Sequence, residues 1–272
     1  MRALFVLTFL LTTVFKGYTQ ANNKTPLTIG EIRTIHSTIL NENRTLNIYL
    51  PQNYDSTKAY PVIYLLDGSM HEDFLHIAGL VQFFNLQMQM PDCIMVGIAN
   101  VDRKRDFTHH TDLKDLKKDY PTTGHSAPFI RFVEEELLPY VSANYKTTAT
   151  RYIIGQSLGG LLATEILLHK RSLFSHYLIV SPSLWWDDES MLKKATTLLQ
   201  QQADSATYVY IAVGKNEHKT MVKEAKELYQ LLLAAKNKNL SLHLNVMESE
   251  NHATILHNSI YAALLRLFPY KE

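Results

Sequence analysis

The chain has 272 residues, 46% of them apolar and 19% charged, which suits a globular protein with a sizeable core. Its formal net charge of +1 excludes a polyanion binder, because no global field gathers nucleic acid or an anionic membrane.

Met1 to Phe15 joins the single charge of Arg2 to an apolar stretch too short for a spanning helix, which needs about 20 apolar residues. Small residues follow at Gly17, Thr19 and Ala21, so residues 1–21 read as a signal peptide removed on export to the periplasm or the exterior. An uncleaved N-terminal anchor is the alternative; once the signal is removed, no stable membrane insertion is expected. Residues 22–272 contain no repeat or Pro/Gly/Ser-rich linker and are expected to form a single domain.

Residues 44–50 alternate with period two before Pro51 and predict an antiparallel edge strand. Residues 61–66 form an apolar run closed by Asp67-Gly68-Ser69, the pattern of a buried parallel strand, and 93–99 repeat it. Cys93, the only cysteine, cannot form an internal bridge and reads as a buried, inert side chain. An amphipathic helix interrupted near Pro139 is expected over 126–145, then a short strand at 151–154 and a Leu/Ala-rich helix at 158–169. Strands at 176–181, 207–213 and 241–247 follow, separated by helices at 187–202 and 219–236, with a final helix over 253–267. This alternation predicts an α/β fold: a mostly parallel central sheet with helices on both faces and function at the carboxyl ends of its strands.

The strand ending at Ile154 runs into Gly155-Gln156-Ser157-Leu158-Gly159-Gly160, which matches G-x-S-x-G between a strand and a helix. In that turn the serine is a nucleophile, the flanking glycines avoid clashes, and the helix N-terminus favours negative charge. A serine hydroxyl needs a base, and in hydrolase order the acid and then the histidine follow it. Of the histidines beyond Ser157, His252 lies in a polar loop between the last strand and the last helix and is the candidate base; His257 is held in reserve. Glu217 is the only carboxylate in the loop after 207–213 and is the candidate acid. Glu248, Glu250 or a Ser–His dyad are the alternatives. The oxyanion hole would use the N–H of Leu158 and a second N–H from Gly68 or Ser69.

With Tyr64-Leu65-Leu66-Asp67-Gly68, Val96 to Asp106, the serine turn and Glu250-Asn251-His252 in place, the chain resembles the esterase-D-type branch of the α/β-hydrolases. The resemblance spans nearly all of residues 30–270 and implies an α/β-hydrolase fold. That branch includes siderophore esterases, S-formylglutathione hydrolases, and feruloyl and acetylxylan esterases. Many relatives carry Asp in the acid loop, where this chain has Lys215-Asn216-Glu217. By resemblance, Asn100 to Asp106 shapes the active-site rim. On the residues themselves, Arg103, Lys104 and Arg105 form a basic cluster that either meets an anionic substrate or is solvated. Trp185 and Trp186 either stack on a sugar or catechol ring or pack beneath a cap.

The expected function is a serine carboxylic ester hydrolase that forms an acyl-enzyme and needs no metal and no cofactor. Its partner is a small-molecule or glycan ester, with a siderophore-like ester first and feruloyl or acetyl groups on polysaccharide second. A catalytically silent binding module and an acyltransferase are the rival readings.

Overall fold

A computed structural model describes residues 24–202 and 205–270. The expected signal peptide, residues 1–21, lies outside the described residues. Eight strands form one sheet: β1 (Glu31–Ser37), β2 (Glu42–Tyr49), β3 (Tyr60–Leu65), β4 (Ile94–Ile98), β5 (Thr147–Gln156), β6 (His176–Val180), β7 (Thr207–Gly214) and β8 (Leu240–Met247). Their spatial order is β1-β2-β4-β3-β5-β6-β7-β8. β2 is antiparallel to both of its neighbours, and β4, β3, β5, β6, β7 and β8 run parallel.

The parallel strands are short apolar runs, and their period of two sends alternate residues to opposite faces. Ile63, Leu65, Ile154 and Leu178 meet α1 (Phe74–Gln87) and α9 (Ile255–Leu267) on one face. Val62, Tyr64, Ile153 and Ile179 meet the other helices on the opposite face: α2 (Arg103–Phe107), α4 (Ser126–Phe132), α5 (Leu138–Asn144), α6 (Leu158–His169), α7 (Trp186–Gln200) and α8 (Lys219–Ala234). The short α3 (Lys114–Asp119) buries none of its own residues. Helices thus cover both faces of a mostly parallel sheet, as the alternation of elements requires.

Two expectations need correction, and the expected interruption near Pro139 takes a definite form. Residues 44–50 are antiparallel as expected but are not an edge, because β1 pairs along the whole outer side of β2. β1 carries Glu31, Arg33, Thr34 and His36 and is largely exposed, so no apolar pattern announces it. The interruption at Pro139 is a π-helical stretch, Val133–Leu137, that separates α4 from α5. Proline withdraws one ladder donor, and the ladder changes register just before it. The helix expected from 187 does not become regular there: Asp187, Asp188 and Glu189 all adopt positive φ, a left-handed turn between Trp186 and the body of α7.

Candidate active site

The serine turn is built by backbone constraints. β5 ends at Gln156, α6 begins at Leu158, and Ser157 between them is held at φ 59° and ψ −118°. A Cβ on Gly155 would stand 2.4 Å from the carbonyl oxygen of Gly159, so only glycine fits there. The turn is anchored to the end of β6: Ser157 N–H donates to Val180 (3.1 Å), and Ser183 N–H donates to the Ser157 carbonyl (3.0 Å). Ser157 Oγ lies 3.3 Å from Ser183 Oγ and makes no hydrogen bond to His252.

Two further loops at the carboxyl ends of β7 and β8 bring Glu217 and His252 together, with His252 Nδ1 2.8 Å from Glu217 Oε2. The Glu217 side chain is fully buried. Its other oxygen, Oε1, accepts Ser181 Oγ at 2.5 Å and the Gly214 N–H at 2.7 Å. Burial alone would raise its pKa, but the bonds from His252, Ser181 and Gly214 outweigh burial and hold it below the ordinary glutamate value. Of the alternative acids, Glu248 pairs with Lys215 at the surface and Glu250 accepts from Asn258. His257 faces His76 across α1 and α9. Ser157 and His252 both line a cavity of about 380 Å³, together with Asp67, Glu72, Asp73, Arg103 and Gln156. The Gln156 side chain donates to the His252 carbonyl at 2.5 Å and ties the two loops together.

The two candidate oxyanion donors that follow Asp67 differ in their partners. Gly68 N–H donates to the Ile98 carbonyl at 3.0 Å, so it is not available to a substrate oxygen. Its role is close approach: a Cβ on Gly68 would stand 2.4 Å from Gly97 Cα. Ser69 N–H donates to a side chain that lines the cavity, Glu72 Oε2, at 3.1 Å. Leu158 opens α6, and the first N–H groups of a helix have no partner within it.

The expected substrate contacts are divided. Arg103 lines the cavity, but it forms a two-bond pair with Asp67. Arg105 is taken up by Glu42 and Asp106 and therefore lies in an ion-pair network, not on the cavity wall. Lys104 sits over the Tyr120 ring. Trp186 is fully buried, its indole N–H donating to the His109 carbonyl at 2.9 Å, so it offers no open face to a ring. Trp185 is half-buried beside Tyr120 and Trp186. Ser181, Ser183, Glu72, Asp73 and Gln156 belong to no motif in the sequence that marks them as site residues. The two serines flank Pro182 at the carboxyl end of β6, and that position was the available signal. Among the described residues, no group of three or more His, Cys, Asp or Glu side chains is placed to hold a metal ion. No helix of the described residues is long and apolar enough to cross a membrane.

Comparison with known proteins gives the family of the chain. A sequence model of the family described as "Putative esterase" matches residues 37–258. The ferri-bacillibactin esterase BesA of Bacillus subtilis is 29% identical over 252 residues, covering 83% of this chain and 85% of its own. Among solved structures, an IroE-like serine hydrolase from Shewanella oneidensis is 31% identical with a TM-score of 0.80, over 88% of this chain and 80% of its own. The BES protein of Bacillus cereus is 29% identical with a TM-score of 0.80, over 90% and 97%. The chain is a carboxylic ester hydrolase of the α/β-hydrolase fold and belongs to this esterase family, among its siderophore-esterase-like members.

Proposed function

We propose that the protein cleaves siderophore-type esters through a Ser157–His252–Glu217 triad and an acyl-enzyme. The observation that carries this reading is the 2.8 Å contact between His252 Nδ1 and a fully buried Glu217, with Ser157 lining the same cavity as His252. Glu217 fixes the tautomer in which Nδ1 bears the proton, and this leaves Nε2 free to act as a base. The Ser157 hydroxyl turns from Ser183 toward His252, gives up its proton to Nε2 and attacks the ester carbonyl. The N–H groups of Leu158 and Ser69 then receive the oxyanion, Ser69 exchanging Glu72 for the substrate oxygen. Collapse of the tetrahedral intermediate expels the alkoxide, which takes the proton back from His252. A water deprotonated by His252 then releases the acyl group from Ser157. The siderophore part of the reading is supported by the likeness to BesA and by a cavity open to solvent, which admits an ester carried on a bulky molecule.

Fluorophosphonate labelling read by intact mass tests the nucleophile. One adduct on wild type and none on Ser157→Ala is expected; an adduct on the variant, or none on folded wild type, overturns the triad. The same masses, taken on protein recovered from an exporting host, read whether residues 1–21 have been removed, as we propose for an exported chain. Turnover of a catecholate trilactone in preference to a feruloylated sugar is the expected substrate result. The reverse preference would move the substrate to polysaccharide esters and leave the triad standing.

A further inference from the structure

Arg103 stands on the cavity wall like a cation waiting for an anionic substrate, yet two of its three nitrogens, Nε and Nη2, are already engaged by the protein. Nε and Nη2 meet the two oxygens of Asp67 at 2.6 and 2.8 Å, and Nη2 reaches the Gln156 carbonyl at 3.2 Å. Asp67 is almost fully buried, adopts φ 53° and accepts a third bond from Asn100 at 2.6 Å. The same Asn100 nitrogen donates to Glu72 at 2.9 Å. Asp67 Oδ2 also lies 3.3 Å from where a Cβ on Gly159 would stand, so the carboxylate rests against the first turn of α6. Asp67 is two residues before Ser69, and Gln156 immediately precedes Ser157 and Leu158. One guanidinium therefore spans the loop that supplies one oxyanion donor and the turn that supplies the other.

We propose that Arg103 and Asp67 are positioning residues that lock the 66–69 loop against the nucleophile turn and so set the separation of the Ser69 and Leu158 N–H groups. This rests on the serine-esterase reading above. The physical reason is that an oxyanion hole stabilises the transition state only if its donors stand in place before charge develops. A planar guanidinium paired with a carboxylate through two parallel bonds has fixed geometry, whereas an ammonium is a single flexible point charge. Lysine at position 103 therefore keeps the charge and loses the bridge. The role makes a kinetic distinction: a lock acts on kcat for every ester, whereas a substrate anchor acts on KM for anionic esters alone.

The test uses the uncharged ester 4-nitrophenyl acetate and a carboxylate-bearing analogue with wild type, Arg103→Lys, Asp67→Asn and the double variant. Each single variant is expected to lower kcat for the neutral ester by about 100-fold, the order of losing one oxyanion donor. KM is expected to stay within about threefold, and the double variant to be no slower than the slower single one, because both break the same bridge. The rate of fluorophosphonate labelling at Ser157 falls in parallel. Unchanged kcat for the neutral ester, with KM raised only for the anionic one, overturns the proposal and makes Arg103 a substrate anchor. Asp67→Asn is isosteric and keeps the test alive should Arg103→Lys fold poorly. Wild-type labelling and turnover are read in the same series, so failure of the lock is distinguishable from failure of the serine mechanism.

Discussion

Glu217 and Glu165 are both buried glutamates, and their surroundings push them in opposite directions. Glu217, in the loop after β7, receives Ser181, Gly214 and His252 and is held below the ordinary glutamate value of 4.5. Glu165, on α6, accepts only Ser126 Oγ at 2.9 Å, and its Oε2 has no hydrogen-bond partner among the described residues. Burial therefore dominates there and pushes Glu165 up to about 7. Being buried does not decide which form a carboxyl group takes; the number of donors aimed at it does. The site has spent its donors on the group that must stay ionised beside an imidazole, and it leaves the other to the core.

The largest expected effect breaks the comparison on the ionised side. Glu217→Gln keeps the volume but removes the charge that selects the His252 tautomer, and kcat should fall by about 1,000- to 10,000-fold, as in other triads. A loss under about tenfold would assign the reaction to a Ser157–His252 dyad. Stability has its own sign here. Glu217, with a lowered folded-state pKa, stabilises the fold above the ordinary value of 4.5, and that contribution is lost as pH falls through the folded pKa.

Glu165 has the opposite sign. Its folded-state pKa is raised, so its favourable contribution is complete below the ordinary value of 4.5 and is lost as pH rises toward about 7. That interval corresponds to about 3 kcal/mol at pH 8. Glu165→Gln should therefore be more stable than wild type by up to this amount at pH 8 and nearly equal at pH 4.5. Urea denaturation at the two pH values checks this, and equal effects at both would show that Glu165 is not protonated in the fold.

The smallest effect sharpens the comparison by removing one donor from the richer site. Ser181→Ala should lower kcat by about fivefold, the equivalent of about 1 kcal/mol for one hydrogen bond to Glu217. In a Glu217→Gln background the same substitution should add little, because the charge it supports is already gone. Full additivity in the double variant would place Ser181 outside the acid's support.

The sheet was largely legible in the sequence because β3, β4, β6 and β7 are apolar runs bounded by turns, and the serine turn because steric demand leaves glycine at fixed offsets. Glu217 was readable by position, as the one carboxylate after β7. What the sequence concealed depends on partners far along the chain. β1 is polar on its exposed side and is recognisable only by its pairing with β2. The basic cluster at 103–105 looked uniform, yet Arg103 and Arg105 find Asp67 and Glu42, 36 and 63 residues earlier. That the Gly68 N–H is taken depends on a single backbone bond to Ile98. Trp186 packs edge-on against Tyr120, far earlier in the chain.

Cys93 gives the molecule one more property. Its side chain is buried at the start of β4, its Sγ donates to the Pro91 carbonyl at 3.1 Å, and burial, with Asp92 beside it, pushes the thiol up to about 12. Alkylation and disulfide exchange proceed through the thiolate, so the folded protein is inert to both at neutral pH. The sulfur becomes reactive only when the sheet around β4 opens. A folded molecule therefore carries a single silent thiol that acts as its own clock, and each labelling event records one opening of the core.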